Sequence, residues 1–150
     1  MKVFKIPYPE IPLFAGRDVK YIEEVPSLRS FYKYPVNIEA FGQVIEDKKH
    51  ETIDRTTLVE VLKSQHSQLE AGQLVTENIA KLAFENTFTI VTAHQPSLFT
   101  GPLFYIFKIV SAINLARQLT TAYSAYNFVP TAKPGSSNWA AAGWWPFCRD

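Results

Sequence analysis

The strand–helix–strand pattern of residues 88–129 constrains the fold of this chain more than any other feature of its sequence. The short run Phe88–Ala93 is β-branched and aromatic and is flanked by turn residues, which predicts a buried strand. A loop, His94–Gly101, leads into a predicted helix over residues 102–119, and a second strand is predicted around Tyr126–Val129. Two strands joined in this way run parallel with a right-handed crossover, so the pattern indicates an α/β fold.

The predicted helix is unusually apolar at its start. Pro102 is well placed as its first residue, because a missing N–H costs nothing at that position. The following two turns carry apolar side chains nearly all round the helix, among them Leu103, Ile106 and Phe107. We therefore expect the start of this helix to be buried.

The residues before this unit divide into two parts. Residues 1–35 hold five of the ten prolines, which favours an extended, irregular segment with one short helix over Leu28–Lys33. Residues 36–86 show helical periodicity, and Asp54 or Thr56 is the expected N-cap of the second of three amphipathic helices. The apolar stripes of these helices are Ile38, Phe41 and Ile45; Leu58, Val61, Leu62 and Leu69; and Val75, Ile79 and Leu82.

Charge and composition exclude several classes of partner. Fifteen basic and fourteen acidic residues give a net charge of +1, so no net field attracts nucleic acid or an anionic membrane. The single cysteine, Cys148, cannot form an internal disulfide, which fits a reducing compartment. The first residues lack the apolar run of a signal peptide or transmembrane helix, so we expect a cytoplasmic protein. His50 and His66 are expected in exposed helical surroundings without metal-ligand spacing, so no metal site is predicted.

The loop after the first strand is the place where chemistry is expected. Ligands of open parallel sheets bind beyond the carboxyl ends of the strands, and a helix start suits phosphate. His94 follows the strand directly, Thr100 and Gly101 occupy the cap region, and Lys108 lies about two turns into the helix. The loop lacks both glycine-rich phosphate-binding motifs, so a structural or exposed histidine and a solvated lysine remain open alternatives.

The residue string Thr92–Lys108 resembles the N-terminal signature of the bacillithiol biosynthesis cysteine-adding enzyme family. In that family the strand ends in a T-G-[QH]-Q turn, followed by L-F-x-G-P-L and an aromatic-rich helix that carries a lysine. The segments Thr52–Leu58, Ser111–Ala116 and Asn127–Pro130 are also similar to the family, and the resemblance covers roughly residues 3–130.

The resemblance implies a Rossmann-like nucleotide-binding core related to class I aminoacyl-tRNA synthetases. It implies a ligase that joins cysteine to glucosaminyl malate, uses ATP or another nucleotide, and is homodimeric at full length. His94 is then expected to contact a phosphate or adenylate and Gln95 to orient it, as the catalytic positions. The expected nucleotide-binding positions are Thr92, Thr100, Gly101 and Lys108.

The chain departs from the family pattern at three places. Ala93 stands where the family has a glycine, which would be strained if that position required a positive φ, and Ser97 replaces the usual small turn residue. After Pro130 the family continues with an apolar strand and a motif of the E-D-H-D type, whereas residues 131–150 contain all three tryptophans and no such motif.

These departures predict four segments and an incomplete ligase. The segments are an extended start (1–35), a helical part (36–86), the beginning of a Rossmann-like core with one β–α–β unit (87–130) and an atypical, out-of-frame tail (131–150). A truncated fragment of this kind is expected to be inactive alone. The alternatives are a non-catalytic nucleotide- or phosphate-binding module, another nucleotidyltransferase-like enzyme, and, for the tail, a tryptophan platform for sugars.

Overall fold

The computed structural model describes residues 4–14, 16–67, 72–94 and 102–134. The chain forms two compact units, Met1–Val44 and Ile45–Asp150. The boundary between them falls inside a helix, α2 (Phe41–Lys49).

The first unit contains short helical elements. Its described residues include the 3-10 helices Tyr8–Glu10 and Pro26–Phe31 and the α-helix α1 (Gly16–Ile22). The short helix expected at Leu28–Lys33 therefore begins two residues earlier, because the fixed φ of Pro26 suits a first helical position. The expectation of an otherwise extended segment was wrong for α1, which lies in a stretch without proline.

Two helices of the second unit, α3 (Arg55–His66) and α4 (Gln73–Lys81), pack together. Asp54, one of the two expected caps, is the N-cap of α3. Its carboxylate accepts hydrogen bonds from the backbone N–H of Thr57 at 3.1 Å and from the Thr57 hydroxyl at 2.7 Å. These bonds satisfy a donor that the first turn of a helix leaves without an intrahelical partner.

The described residues contain two strands, β1 (Thr87–His94) and β2 (Asn127–Pro134), and helix α5 (Leu103–Ala122) lies between them in the chain. The strands pair in parallel, in register from Thr87 opposite Asn127 to His94 opposite Pro134, which confirms the predicted β–α–β unit. Pro102 precedes the first helical residue as the N-cap, one position earlier than expected. The strand predicted to end at Val129 continues to Pro134.

Helices pack on both faces of this two-stranded sheet. On one face, a buried cluster joins the helices α3 and α4 to the second strand, and its members are Val59, Leu62, Ile79, Leu82 and Val129. The inward positions Ile79 and Leu82 were predicted, whereas Val61 is 46% exposed because the face of α3 in this cluster is formed by Val59 and Leu62. Helix α5 contacts both strands and packs on the other face.

Helix α5 buries one stripe and leaves its first turns open. Ile109, Ala112, Ala116 and Leu119 are buried, at the spacing of a single helical face. The prediction of a buried helix start was wrong: Leu103 is 66% and Phe107 63% exposed. Among the described residues, the sheet covers one side of α5. The apolar side chains on the other sides of its first turns therefore stay exposed.

Two further expectations on burial need correction. Strand β1 is not uniformly buried, because Phe88, Ile90, Thr92 and His94 are half-buried whereas Thr89, Val91 and Ala93 are exposed. His66 is buried instead of exposed. Its Nδ1 atom lies 2.8 Å from the carbonyl oxygen of Leu62 one turn earlier, so this ring nitrogen has a backbone hydrogen-bond partner. His50 is exposed as expected. No described helix is long and apolar enough to cross a membrane.

Candidate functional site

The carboxyl end of β1 meets the first two turns of α5, and this junction is the candidate site. The last residue of β1 is His94, and the helix begins at Leu103. Three of the predicted site residues, Gln95, Thr100 and Gly101, lie outside the described residues. The structure therefore tests the placement of the other three, Thr92, His94 and Lys108.

His94 is held by two aromatic rings of α5. Its ring centroid lies 4.8 Å from that of Phe104, with an interplanar angle of 82°, and 5.0 Å from that of Tyr105, with an angle of 35°. The side chain is half-buried, and no described residue hydrogen-bonds to its ring nitrogens. The imidazole is thus held through its ring, and its nitrogens have no hydrogen-bond partner within the part of the chain that the structure describes.

Lys108 reaches the same end of the strand from one turn further along the helix. Its Nζ atom donates a hydrogen bond to the carbonyl oxygen of Ala93 at 3.4 Å and lies 5.3 Å from the centre of the Phe104 ring. An ammonium group has three N–H donors. Among the described residues Ala93 is its only hydrogen-bond acceptor, which leaves two donors for an anion.

Thr92 and Ala93 complete the strand end. Thr92 is half-buried and lies two residues before His94, so both side chains are on the sheet face that α5 covers. Ala93 lies within the regular strand, and Glu24 is the one described non-glycine residue with a positive φ. The strain considered for an alanine at the family's glycine position is therefore absent.

The donors gathered at this junction suit a phosphate group. An imidazole and an ammonium stand beside the beginning of a twenty-residue helix, whose first N–H groups carry partial positive charge. The described ranges contain no cluster of histidine, cysteine and acidic side chains that could hold a metal ion.

Phe104 and Tyr105 were not predicted as site residues, although two consecutive aromatic residues in the first helical turn were a visible signal.

The amino end of the same sheet has a different construction. Arg55 donates hydrogen bonds to the carbonyl oxygens of Leu82 at 2.9 Å, Thr87 at 3.1 Å and Glu85 at 3.4 Å. This guanidinium joins the beginning of α3 to the end of α4 and the start of β1. It was not predicted as a structural residue, because its partners lie about thirty positions further along the chain.

An open cleft of about 830 Å³ lies beside this guanidinium, lined in part by Lys49, Asp54, Phe88 and Tyr126. A hydrogen bond to Glu46, and then one to Tyr126, raises the pKa of Lys49 above its ordinary value. Hydrogen bonds from the hydroxyl and then from the backbone N–H of Thr57 lower the pKa of Asp54. The charges around the cleft are therefore engaged with neighbouring protein groups.

Comparison with known proteins supports the resemblance seen in the loop. Residues 1–131 match the family described as "Bacillithiol biosynthesis BshC, N-terminal Rossmann-like domain". Three similar proteins carry the name "Putative cysteine ligase BshC". The relative from Flavobacterium psychrophilum is 43% identical over 128 residues, and the one from Christiangramia forsetii is 42% identical over 127 residues. The relative from Cytophaga hutchinsonii is 34% identical over 140 residues.

The matches cover most of this chain and a small part of each relative. The first two alignments each cover 83% of this chain and 24% of the relative, and the third covers 93% and 27%. The chain thus spans about a quarter of the length of these relatives. Together with the α/β architecture, the family match shows that this chain belongs to the family of the N-terminal Rossmann-like domain of the bacillithiol biosynthesis protein BshC.

Proposed function

We propose that this domain forms the phosphate-facing part of the nucleotide site of a cysteine ligase of the bacillithiol pathway. The observation that carries the proposal is the meeting of His94 and Lys108 at the carboxyl end of β1, beside the start of α5. This is the edge at which parallel sheets bind their ligands. At the amino end, the guanidinium of Arg55 is instead engaged by three backbone carbonyls.

The reaction proposed for the complete ligase is the joining of the cysteine carboxyl group to the amine of glucosaminyl malate. An amide forms from a carboxylate only after the carboxyl oxygen has been converted into a leaving group, and ATP or another nucleotide would supply that activation. His94 would contact the phosphate or adenylate and Lys108 would balance its negative charge. Thr92, Gln95, Thr100 and Gly101 stay predicted contributors, with Gln95 orienting the ligand.

The same proposal covers the setting of the reaction. The complete ligase would be a cytoplasmic homodimer, and this domain alone would bind a nucleotide without forming the amide bond. The relatives' names and the small share of their length that the chain spans support this division. A non-catalytic phosphate-binding module is the second candidate, and the same two side chains, His94 and Lys108, favour it. Such a module would bind a phosphate but would have no role in amide formation.

Calorimetric titration of the full chain with ATP tests the nucleotide site. His94→Ala and Lys108→Met should each weaken ATP binding about tenfold, since a charge-assisted hydrogen bond is worth 1.5–3 kcal/mol and about 1.4 kcal/mol corresponds to one factor of ten. His50→Ala is the matched control, because that histidine is exposed and follows α2, outside the candidate site. Binding curves of His94→Ala and Lys108→Met identical to the wild type would remove both residues from the site.

Complementation separates the ligase from the binding module. A bacterial strain that lacks its bacillithiol ligase should regain bacillithiol with a complete relative and should not regain it with this chain. Introducing the changes equivalent to His94→Ala and Lys108→Met into the complete relative should then reduce bacillithiol formation. Unchanged bacillithiol in both variants would contradict the role proposed for this junction in amide formation.

A further inference from the structure

We propose that Phe104 is a positioning residue whose ring fixes the His94 imidazole and the Lys108 ammonium relative to each other for binding of a polyphosphate. The inference deepens the proposed nucleotide site and rests on it. The ring of Phe104 contacts both groups, with its centre 4.8 Å from that of His94 and 5.3 Å from the Nζ atom of Lys108. Phe104 is 50% exposed, although the same apolar helix buries Leu119 completely.

The contact with His94 restricts the direction of the imidazole. The nearly perpendicular geometry with Phe104 is the arrangement in which the positive edge of one ring meets the negative face of another. Tyr105, the next residue of the helix, adds a tilted contact at 5.0 Å. Neighbouring helical residues point roughly 100° apart, so the two rings contact the imidazole from different directions. Rotation of the imidazole away from the strand end would break the contacts with both Phe104 and Tyr105.

The contact with Lys108 restricts the long and otherwise flexible lysine side chain. Phe104 and Lys108 are four residues apart and therefore neighbours on one face of α5. The ammonium group lies over the face of the ring, where the quadrupole attracts a cation, and the carbonyl oxygen of Ala93 holds it from the strand. A lysine that is held in place before the ligand arrives loses less conformational entropy on binding than one that is not.

Nuclear magnetic resonance of the histidine side chains tests the positioning directly. The chain has three histidines, and the resonances of His94 are identified by their loss in His94→Ala, while His50 and His66 serve as internal references. In Phe104→Leu the ring-current displacement of the His94 signals should become smaller, with the contribution of Tyr105 remaining, and in Phe104→Tyr it should be retained. Phe107→Leu is the matched control, because it removes a ring of the same size, which is also exposed, from the same helix. Unchanged His94 signals in Phe104→Leu would overturn the proposal.

ATP titration of the same variants tests whether positioning matters for binding. Phe104→Leu should raise the ATP dissociation constant about threefold to tenfold, as expected when one mobile side chain must be immobilised by the ligand, and Phe104→Tyr should restore it. Phe107→Leu should bind as the wild type does. Displaced His94 signals with unchanged ATP affinity in Phe104→Leu would also overturn the proposal.

The two readouts separate this inference from the proposed function. If the wild-type chain binds no ATP, the nucleotide site is refuted and the polyphosphate role of Phe104 is refuted with it. The His94 signals would then still decide whether the ring orients the imidazole. If ATP binds and is sensitive to His94→Ala but not to Phe104→Leu, the site stands and the positioning role fails.

Discussion

The two ends of strand β1 show opposite uses of polar side chains. At the amino end, Arg55 donates to three carbonyl oxygens, and the hydroxyl of the almost fully buried Thr87 donates to the carbonyl oxygen of Lys81 at 2.6 Å. At the carboxyl end, His94 and Lys108 are held mainly by aromatic rings, and their described hydrogen bonds amount to one long contact with Ala93.

The difference indicates which end is structural and which can bind a ligand. A buried donor paired with backbone carbonyls stabilises the fold and has little capacity left for a partner. A cation or imidazole fixed through an aromatic ring keeps its N–H groups accessible. We therefore expect substitutions at the amino end to change stability, and substitutions at the carboxyl end to change ligand affinity.

Arg55→Ala should give the largest loss of stability. It leaves three carbonyl oxygens without their charged donor, and hydrogen bonds to a charged group are each worth about 1.5–3 kcal/mol. Because the bonds to Leu82 and Thr87 are part-buried and the bond to Glu85 is long and exposed, we count two bonds at the lower value and expect a loss of about 3 kcal/mol. Urea unfolding of the full chain measures it. Arg117→Ala, at an exposed position of α5, should stay within about 0.5 kcal/mol of the wild type. Equal effects at the two arginines would break the structural interpretation of the amino end.

Thr87→Val should give the second largest loss of stability. The substitution keeps the shape of the side chain and removes the hydroxyl that bonds to Lys81, at a cost of about 1 kcal/mol. Thr89→Val is the control on the same strand. Thr89 is exposed, so its hydroxyl can hydrogen-bond to water in the folded state as it does in the unfolded state. A stability loss at Thr89 as large as that at Thr87 would show that the effect comes from the strand and not from the hydrogen bond.

His94→Ala should destabilise the protein less than a change at the amino end, while weakening ATP binding about tenfold. Its two ring contacts are partly exposed, so we expect a loss below about 1 kcal/mol. His66→Ala provides the contrast, since His66 is buried against a backbone carbonyl and should cost more stability without affecting ATP. Thermal or urea unfolding beside the ATP titration measures both properties. A larger loss of stability in His94→Ala than in His66→Ala would contradict the comparison.

The sequence predicted the parts of the fold that depend on local pattern. The parallel pairing of β1 and β2 through α5 follows from the order and composition of three neighbouring segments, and Asp54 as a cap follows from its position before an apolar stripe. The placement of His94 at the strand end was predicted for the same reason, whereas Lys108 was predicted only to lie about two turns into the helix, and its hydrogen bond to Ala93 was not predicted.

The remaining features depend on contacts between distant residues. The role of Arg55 requires partners from two other elements, and the exposed start of α5 depends on which elements cover it, so local periodicity predicted neither. The rings around His94 come from residues ten and eleven positions later, across the loop. The proposed division into four segments and the nature of residues 131–150 stay predictions.

The smallest expected effect is a pH dependence of stability at the amino end. The pKa of Asp54 is lowered from its ordinary value of 3.8, first by the Thr57 hydroxyl and then by the Thr57 backbone N–H. The folded state therefore holds fewer protons at this carboxylate than the unfolded state does. Its contribution to stability is complete well above pH 3.8 and is lost as the pH falls through the lower, folded-state pKa.

Asp54→Asn separates this contribution from the cap itself. Asparagine also accepts the N-cap hydrogen bond but does not titrate, so the helix stays capped at every pH. The stability difference between wild type and variant, measured by urea unfolding, should be constant near neutral pH and shrink once the pH falls below about 3.8. Glu60→Gln, an exposed change on the same helix, controls for the loss of one negative charge. A difference that grows toward acid would mean that the Thr57 bonds favour the protonated carboxyl group, which would reverse the role assigned to this cap.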